Sequence, residues 1–528
     1  MAFRDFQRPG RSAVFASSAI CATSHPLASY TALDLLSRGG NAVDAAIAAA
    51  LMLGLCEPQM TGLGGDMFAL VQPGPDAPML GINASGRAPA AFDPAILRAE
   101  GHRTMPRRSA HAVTVPGAVD GFCRLLDDHG RIGRDAVFAP AIRLAQEGVP
   151  VAPRVAFDWA RSADTLSGPG RQYFLLDGRA PTAGALFRAP GQAEVLRRIV
   201  HEGRSGFYEG AVAADMVAGL RAAGGCHTEA DFAAQTSLYV EPVSAAYRDR
   251  RLIELPPNGQ GATALLMARM LDRFDLAGCD PMGADRAHLE AEVAKCAYDA
   301  RDRVVGDPQT TPRLERMLSD DMAEALVALI DTQRAGPIPP EGAEALHRET
   351  ICLSVIDRDR MAVSLIYSVF DSFGSGLASP QFGINFHNRG AGFSLAPGHP
   401  NEARAGRRPL HTIIPAMVTK DGALEMAYGV MGGQYQPTGH LRVLSNLLDY
   451  GMDLQQAVDA PRSFAHAEGL QMERGYAATV REALAMRGHR VTTPESPLGG
   501  AQAVQIDLER GVLIGASDPR KDGCALGI

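Results

Sequence analysis

Apolar residues along the chain fall into blocks of two periods. A helical pattern over 26–36 is interrupted by Gly39, Gly40 and Asn41, and a second helix is predicted over 42–55 with Asn41 as its N-cap. That stretch, AVDAAIAAALMLGL, is apolar almost all round but too short to cross a bilayer, so it predicts a buried core helix. Gly62, Gly64 and Gly65 then mark a tight turn before a buried strand over 67–71. Helical patterns recur over 135–147, 211–223, 261–274 and 286–304. From Asp307 the chain turns polar, acidic and finally proline-rich, which predicts an exposed linker over 307–349. It ends at TICLSVIDRDRMAVSLIYSVF, whose alternation around a polar turn at 357–360 predicts a β-hairpin. Strands over 412–418, 424–429, 503–507 and 512–516 and helices over 438–448, 454–460 and 478–487 follow. The fold class is α+β.

With 528 residues, 46% of them hydrophobic and 21% charged, the chain has ample material for a large core. A net charge of -8 with scattered Lys and Arg supplies no positive field for a phosphate backbone, so nucleic acid is excluded as a partner. Residues 1–18 lack the continuous apolar stretch of a secretory signal and no later segment spans a membrane, so a cytoplasmic protein with no membrane partner is expected. The eight cysteines lie far apart, without C-x-x-C or a Cys/His cluster, so neither disulfides nor a metal are expected. The glycine turn fails the G-x-G-x-x-G pattern because Met67 stands at the third glycine and the helix precedes the loop. No cofactor is expected.

A strand that begins with Thr350 after a polar linker is chemically suggestive. A threonine hydroxyl needs a base beside it, and a threonine at a new N-terminus carries one in its free α-amine, with a pKa of roughly 8. Cys352, the other nucleophile nearby, lies within the strand pattern and reads as a buried thiol. The motifs SRGGNAVDAAIAAAL, TGLGGDMF, TVPGAVDG, LPPNGQG, TICLSV, FGSG, MGGQ and GASDPRKDG occur in this order. On these the chain resembles the γ-glutamyltranspeptidase family over nearly its whole length.

The resemblance implies a four-layer αββα sandwich of the N-terminal-nucleophile hydrolase type. It implies a precursor cut at Glu349–Thr350 into a large fragment (1–349) and a small fragment (350–528) that form one structural unit and associate as a heterodimer, with a dimer of heterodimers as a further form. Thr350 is then the nucleophile, Ser368 the residue that orients its hydroxyl, and Gly432 and Gly433 the oxyanion hole. A non-enzymatic binding protein is the contrasting class, and an intact Thr350 with both glycines argues against it.

Departures from the family pattern lie in the pocket. Ser85 stands where the family grips an α-carboxylate with arginine, Gly392 where an aspartate pairs with the α-ammonium, and Phe370, Arg389, His411 and Thr412 at other pocket positions. Losing a carboxylate that compensates an ammonium costs on the order of 3 kcal/mol or more in a desolvated site. Arg87, Asn388, Arg389, His411 and Thr412 remain as candidate substrate-binding residues, and the cationic ones suit a carboxylate. The departures resemble a branch that includes oxamate amidohydrolase and cephalosporin acylase-like proteins, which implies a small carboxylate-bearing amide as substrate, oxamate or similar, with release of ammonia. A γ-glutamyltransferase or glutathione hydrolase, or an acylase for a bulkier amide, is the alternative.

Overall fold

The computed structural model describes residues 7, 10–311, 313–337, 350–466 and 469–528. Two seven-stranded antiparallel sheets stack face to face. In spatial order one holds Val14–Ala16, Leu513–Ser517, Gly500–Ile506, Ala423–Met431, Ala416–Lys420, Arg250–Glu254 and Val243–Tyr247. The other holds Cys524–Gly527, Ile20–Thr23, Ile351–Ile356, Ala362–Ser368, Asp66–Gln72, Leu80–Ala84 and Leu238–Val240. Helices cover both outer faces, so the molecule is the αββα sandwich that the motifs implied.

Strand Ile351–Ile356 shows why its sequence is apolar but for Ser354, whose hydroxyl donates to Gln502 O at 3.3 Å. Ile351, Leu353 and Val355 pack with the outer helices, whereas Cys352 and Ile356 pack between the sheets. Burial on both faces removes the polar half of the period-2 pattern. The helix Ala42–Cys56 is buried at all fifteen positions, and Asn41 caps it in a reciprocal box with Asp44. Predicted helices over 135–147, 261–274 and 286–304 appear as Arg134–Glu147, Gly261–Leu271 and Ala284–Val304.

Two expectations differ. The strand placed over 412–418 runs over Ala416–Lys420, because His411 N–H and Ile414 N–H are taken by the Asn258 carbonyl and the Gln436 side chain instead of a ladder. The stretch from Asp307, expected as an exposed linker, folds into the short helices Leu314–Met317 and Asp320–Val327. Met317 and Ala323 are buried against the second helical layer, with Leu314, Leu318, Met322 and Leu326 beside them, so an apolar stripe lies within the acidic composition. Residues 338–349, including Glu349, lie outside the described residues.

The chain doubles back on itself at its ends. Ser18 and Ala19 N–H donate to the Ile528 carbonyl at 2.7 and 3.1 Å, and Ile528 N–H donates to Ala19 O at 2.9 Å. No helix among the described residues is long and apolar enough to cross a membrane.

Candidate active site

Ile351 pairs with Tyr367, and Ser368 pairs on its other side with Asp66. Thr350, Ser368 and Asp66 therefore lie abreast at one end of three neighbouring strands. They share the parity of Cys352, Ile366 and Phe68, which face the space between the sheets. Thr350 is 1% exposed, and its hydroxyl donates to Ser368 Oγ at 3.2 Å. Ser368 Oγ also accepts from Phe370 N–H at 2.8 Å.

The opposite sheet brings the glycine pair to this end. Cys352 Sγ touches the carbonyls of Gly429 and Gly500 at 3.3 and 3.8 Å, and Gly500 is the ladder partner of Met431. Gly432 (φ 130°) and Gly433 (φ 59°) turn the chain from that strand into the helix Gln436–Leu448. Both φ values are hard for any side-chain-bearing residue, and a Cβ on Gly432 would meet Gly499 Cα at 2.9 Å. The Gly432 carbonyl accepts from Tyr435 N–H, and the Gly433 carbonyl accepts from Gln260 Nε2 at 3.0 Å. Peptide planarity then turns the Gly433 N–H away from Tyr435. Gln260, from LPPNGQG, also donates to Thr412 O at 2.8 Å and is held by Arg301 at 2.8 Å. Burial pushes the Cys352 thiol up to about 12, which keeps it protonated and weakly nucleophilic.

Around Thr350 and Ser368 lies a buried polar cluster. Arg389 donates to Thr412 Oγ1 at 2.8 Å, and its guanidinium covers the Phe370 ring at 4.1 Å. Phe370 itself has a φ of 80°, a conformation that costs about 1–3 kcal/mol and concentrates at functional sites. Asp66 accepts from Gly86 and Gly117 N–H on one oxygen and faces His411 Nε2 at 3.0 Å with the other. Burial pushes its carboxyl up to about 7 against the pull of Arg389, the two backbone N–H groups and Arg408. His411 and His387 are driven well below the usual imidazole range, first by burial and then by Arg389, so both are neutral.

The predicted substrate-binding residues separate here. Arg389, His411 and Thr412 belong to the cluster. Asn388 is tied into its own loop by Asp371 and the Arg107 carbonyl. Arg87, with a side chain 40% exposed, donates to Gly406 O and faces Asp307 at 3.7 Å. Ser85 is buried among Asn83, Asn258, Gln235 and Arg408. A Cβ on Gly392 would lie 2.6 Å from the Leu410 carbonyl, so no aspartate fits there without a backbone shift. Sequence reasoning missed Asp66 and the buried Arg408. Asp66 lay in view within TGLGGDMF, as a charge at the mouth of an apolar strand.

Among the described residues, His288, Glu292 and His489 bring possible metal ligands within 4.8 Å of one another. These atoms already serve each other: His288 Nδ1 and His489 Nε2 are 2.7 Å apart and Glu292 holds the Lys295 ammonium at 2.6 Å. The group reads as a hydrogen-bonded junction between 284–304 and the C-terminal part.

Residues 28–528 match the family model described as Gamma-glutamyltranspeptidase. The chain is 34% identical to the Glutathione hydrolase-like YwrD proenzyme of Bacillus subtilis, covering 98% of this chain and 99% of that protein. It is 33% identical to the Oxamate amidohydrolase proenzyme of Klebsiella pneumoniae, covering 95% and 97%. The crystal structure of a cephalosporin acylase from Bacillus halodurans superposes with a TM-score of 0.92 at 35% identity, covering 100% and 99%. The chain therefore belongs to the γ-glutamyltranspeptidase family and is an enzyme of the N-terminal-nucleophile hydrolase class.

Proposed function

We propose that this proenzyme cleaves itself at Glu349–Thr350 and then hydrolyses a small carboxylate-bearing amide, such as oxamate, through an acyl-enzyme on Thr350. The observation that carries the reading is the buried cluster beside the Thr350–Ser368 pair. Arg389 and Arg408 act on Asp66 there, so among the described residues two guanidiniums bear on one buried carboxylate. A small anion suits these cations, whereas an ammonium meets a carboxylate, Asp66, whose oxygens already accept N–H groups.

In self-cleavage the Thr350 hydroxyl attacks the Glu349 carbonyl carbon and the peptide C–N bond breaks. The resulting ester is hydrolysed by water, leaving a Glu349 carboxylate and a free Thr350 α-amine. In turnover that amine takes the hydroxyl proton as Oγ attacks the amide carbon. The Gly432 and Gly433 N–H groups bind the oxyanion, the proton passes to the leaving ammonia, and water releases the acid from the ester.

Ammonia release from oxamate and glutamine and glutamate release from glutathione, with a cephalosporin tested for deacylation, decide the substrate class. Oxamate should give the highest kcat/KM. A preference for glutamine or glutathione would support a γ-glutamyl hydrolase, the reading suggested by the YwrD relative, and one for the cephalosporin an acylase for a bulkier amide.

A further inference from the structure

Asp66 binds three separate segments to the catalytic end of the sheet. One oxygen sits in a backbone cradle, accepting from Gly86 N–H at 3.2 Å and Gly117 N–H at 3.0 Å. The cradle is too tight for side chains: a Cβ would fall 1.5 Å from Val115 O at Gly86 and 2.4 Å from Ala84 O at Gly117. The other oxygen faces His411 Nε2 at 3.0 Å. The residue is anchored through its main chain and one ring face as well. Its main chain donates to Asn258 O and accepts from Gln260 N–H, and its ring packs on Phe68 with centroids 4.6 Å apart.

A carboxylate on Nε2 places the ring proton there, and Nδ1 is left with a lone pair. That Nδ1 is fully buried and has no hydrogen-bond partner among the described residues. Arg389 and His387 are the charged and titratable groups acting on the ring besides Asp66. An unmet buried acceptor is costly, and a substrate that supplies a donor removes the cost.

We propose that Asp66 is a positioning residue that fixes His411 as the Nε2–H tautomer, and that His411 Nδ1 accepts a hydrogen bond from an N–H or O–H group next to the substrate's carboxylate. The inference rests on the carboxylate-amide reading and deepens it. The pocket then selects 2-amido and 2-hydroxy acids over 2-oxo acids, which offer only an acceptor at that position. In oxamate the donor is the scissile NH₂. His411 is neutral and accepts, so it adds nothing to the cationic grip on the carboxylate.

The self-cleaved enzyme is titrated calorimetrically at pH 8.5 with racemic lactate and with pyruvate, which have the same size and charge and differ in the donor. The wild type should bind lactate about tenfold more tightly, as expected for one buried hydrogen bond of about 1.4 kcal/mol. Asp66→Asn keeps an oxygen for Gly86 and Gly117 but turns an N–H towards His411, moving the ring proton to Nδ1. Pyruvate should bind this variant more tightly than it binds the wild type and the lactate preference should disappear, a gain that mere loosening of the fold would not produce. His411→Leu should bring the two affinities within about twofold. Nitrogen NMR of the wild type should show the Nε2–H tautomer, which keeps the test decisive if Asp66→Asn does not fold. An Nδ1–H signal overturns the positioning role. Binding of both acids without preference overturns the substrate contact and leaves the carboxylate reading standing, whereas binding of neither acid overturns that reading and the contact with it.

Discussion

Thr350 has its hydroxyl 3.2 Å from Ser368 Oγ, with the strand beyond it buried on both faces. Purified protein should therefore appear by mass spectrometry as two fragments without added protease, the smaller beginning at Thr350, and Thr350→Ala should remain one chain; a wild type that stays intact on prolonged incubation would exclude self-processing. Arginine substitutions should separate the pocket. Arg389 is buried against Thr412 and Phe370, so Arg389→Lys, which loses the planar fork, should raise KM for a carboxylate-bearing amide at least about tenfold. Arg87 is part-exposed and engaged with Asp307 and Gly406, so Arg87→Ala should change stability by no more than about 1 kcal/mol and KM only slightly. Equal effects of the two on KM would contradict this division. A pH response belongs to Asp66, whose carboxyl burial lifts to about 7 and which faces His411, His387, Arg389 and Arg408. As pH falls through about 7 it takes up a proton that Nε2 of His411 can then accept, so the lactate preference should narrow, and Asp66→Asn should show no such dependence. For stability the sign is set by a raised folded-state value: the contribution is present below the ordinary carboxylate range and is lost as pH rises through about 7. Of these residues Thr350 and the glycine pair were candidates through their motifs and Ser368 through its position in the hairpin, and the structure brings Thr350 and Ser368 together. Asp66 was not legible in the sequence, because its meaning comes from ladder pairing with Ser368, some three hundred residues away, and no local pattern reports that.

At the scale of elements, periodicity and punctuation located nine helices among the described residues to within a few positions, since a turn glycine, a cap and a 3.6-residue stripe all act within one element, but left Ala118–His129, Pro153–Ser162 and Pro190–Glu202 unassigned. What escaped was non-local competition. Ile414 N–H goes to Gln436 and His411 N–H to Asn258, which delays a strand to Ala416, and the acidic run after Asp307 hides an apolar stripe that only its neighbours reveal. The start of the buried helix Ala42–Cys56 offers a separable test of local physics. The Asp44 carboxylate accepts from Asn41 N–H at 2.9 Å and from Arg131 N–H at 3.1 Å, so it joins the cap to the 130–133 turn. Asp44→Ala leaves both donors unmet and should cost about 2–4 kcal/mol in urea unfolding, while the kcat of the folded fraction stays unchanged. A cost below about 0.5 kcal/mol would mean that water replaces the carboxylate there.

For the whole molecule, cutting before Thr350 would not divide the fold into halves. Both sheets interleave: Ile20–Thr23 lies between Cys524–Gly527 and Ile351–Ile356, Asp66–Gln72 pairs with Ala362–Ser368, and Val14–Ala16 and Arg250–Glu254 flank strands from the C-terminal part. The two fragments should accordingly co-elute without denaturant and unfold in a single urea transition monitored by both tyrosine fluorescence and circular dichroism. Two resolved transitions would show that each fragment has a core of its own.

The contact of Ile528 with Ser18 and Ala19 means that residues 18 to 528 nearly close a ring, broken beside the strand that pairs with Ile351–Ile356. A rearranged gene can exploit this by starting at Thr350, running to Ile528, and re-entering at Gly10 through a short linker. Translation followed by removal of the initiator methionine would then deliver the threonine with its amine already free. In such a permutant the requirement for autoproteolysis disappears while the hydrolytic machinery is retained, so precursor maturation and turnover become two separately selectable traits of one polypeptide.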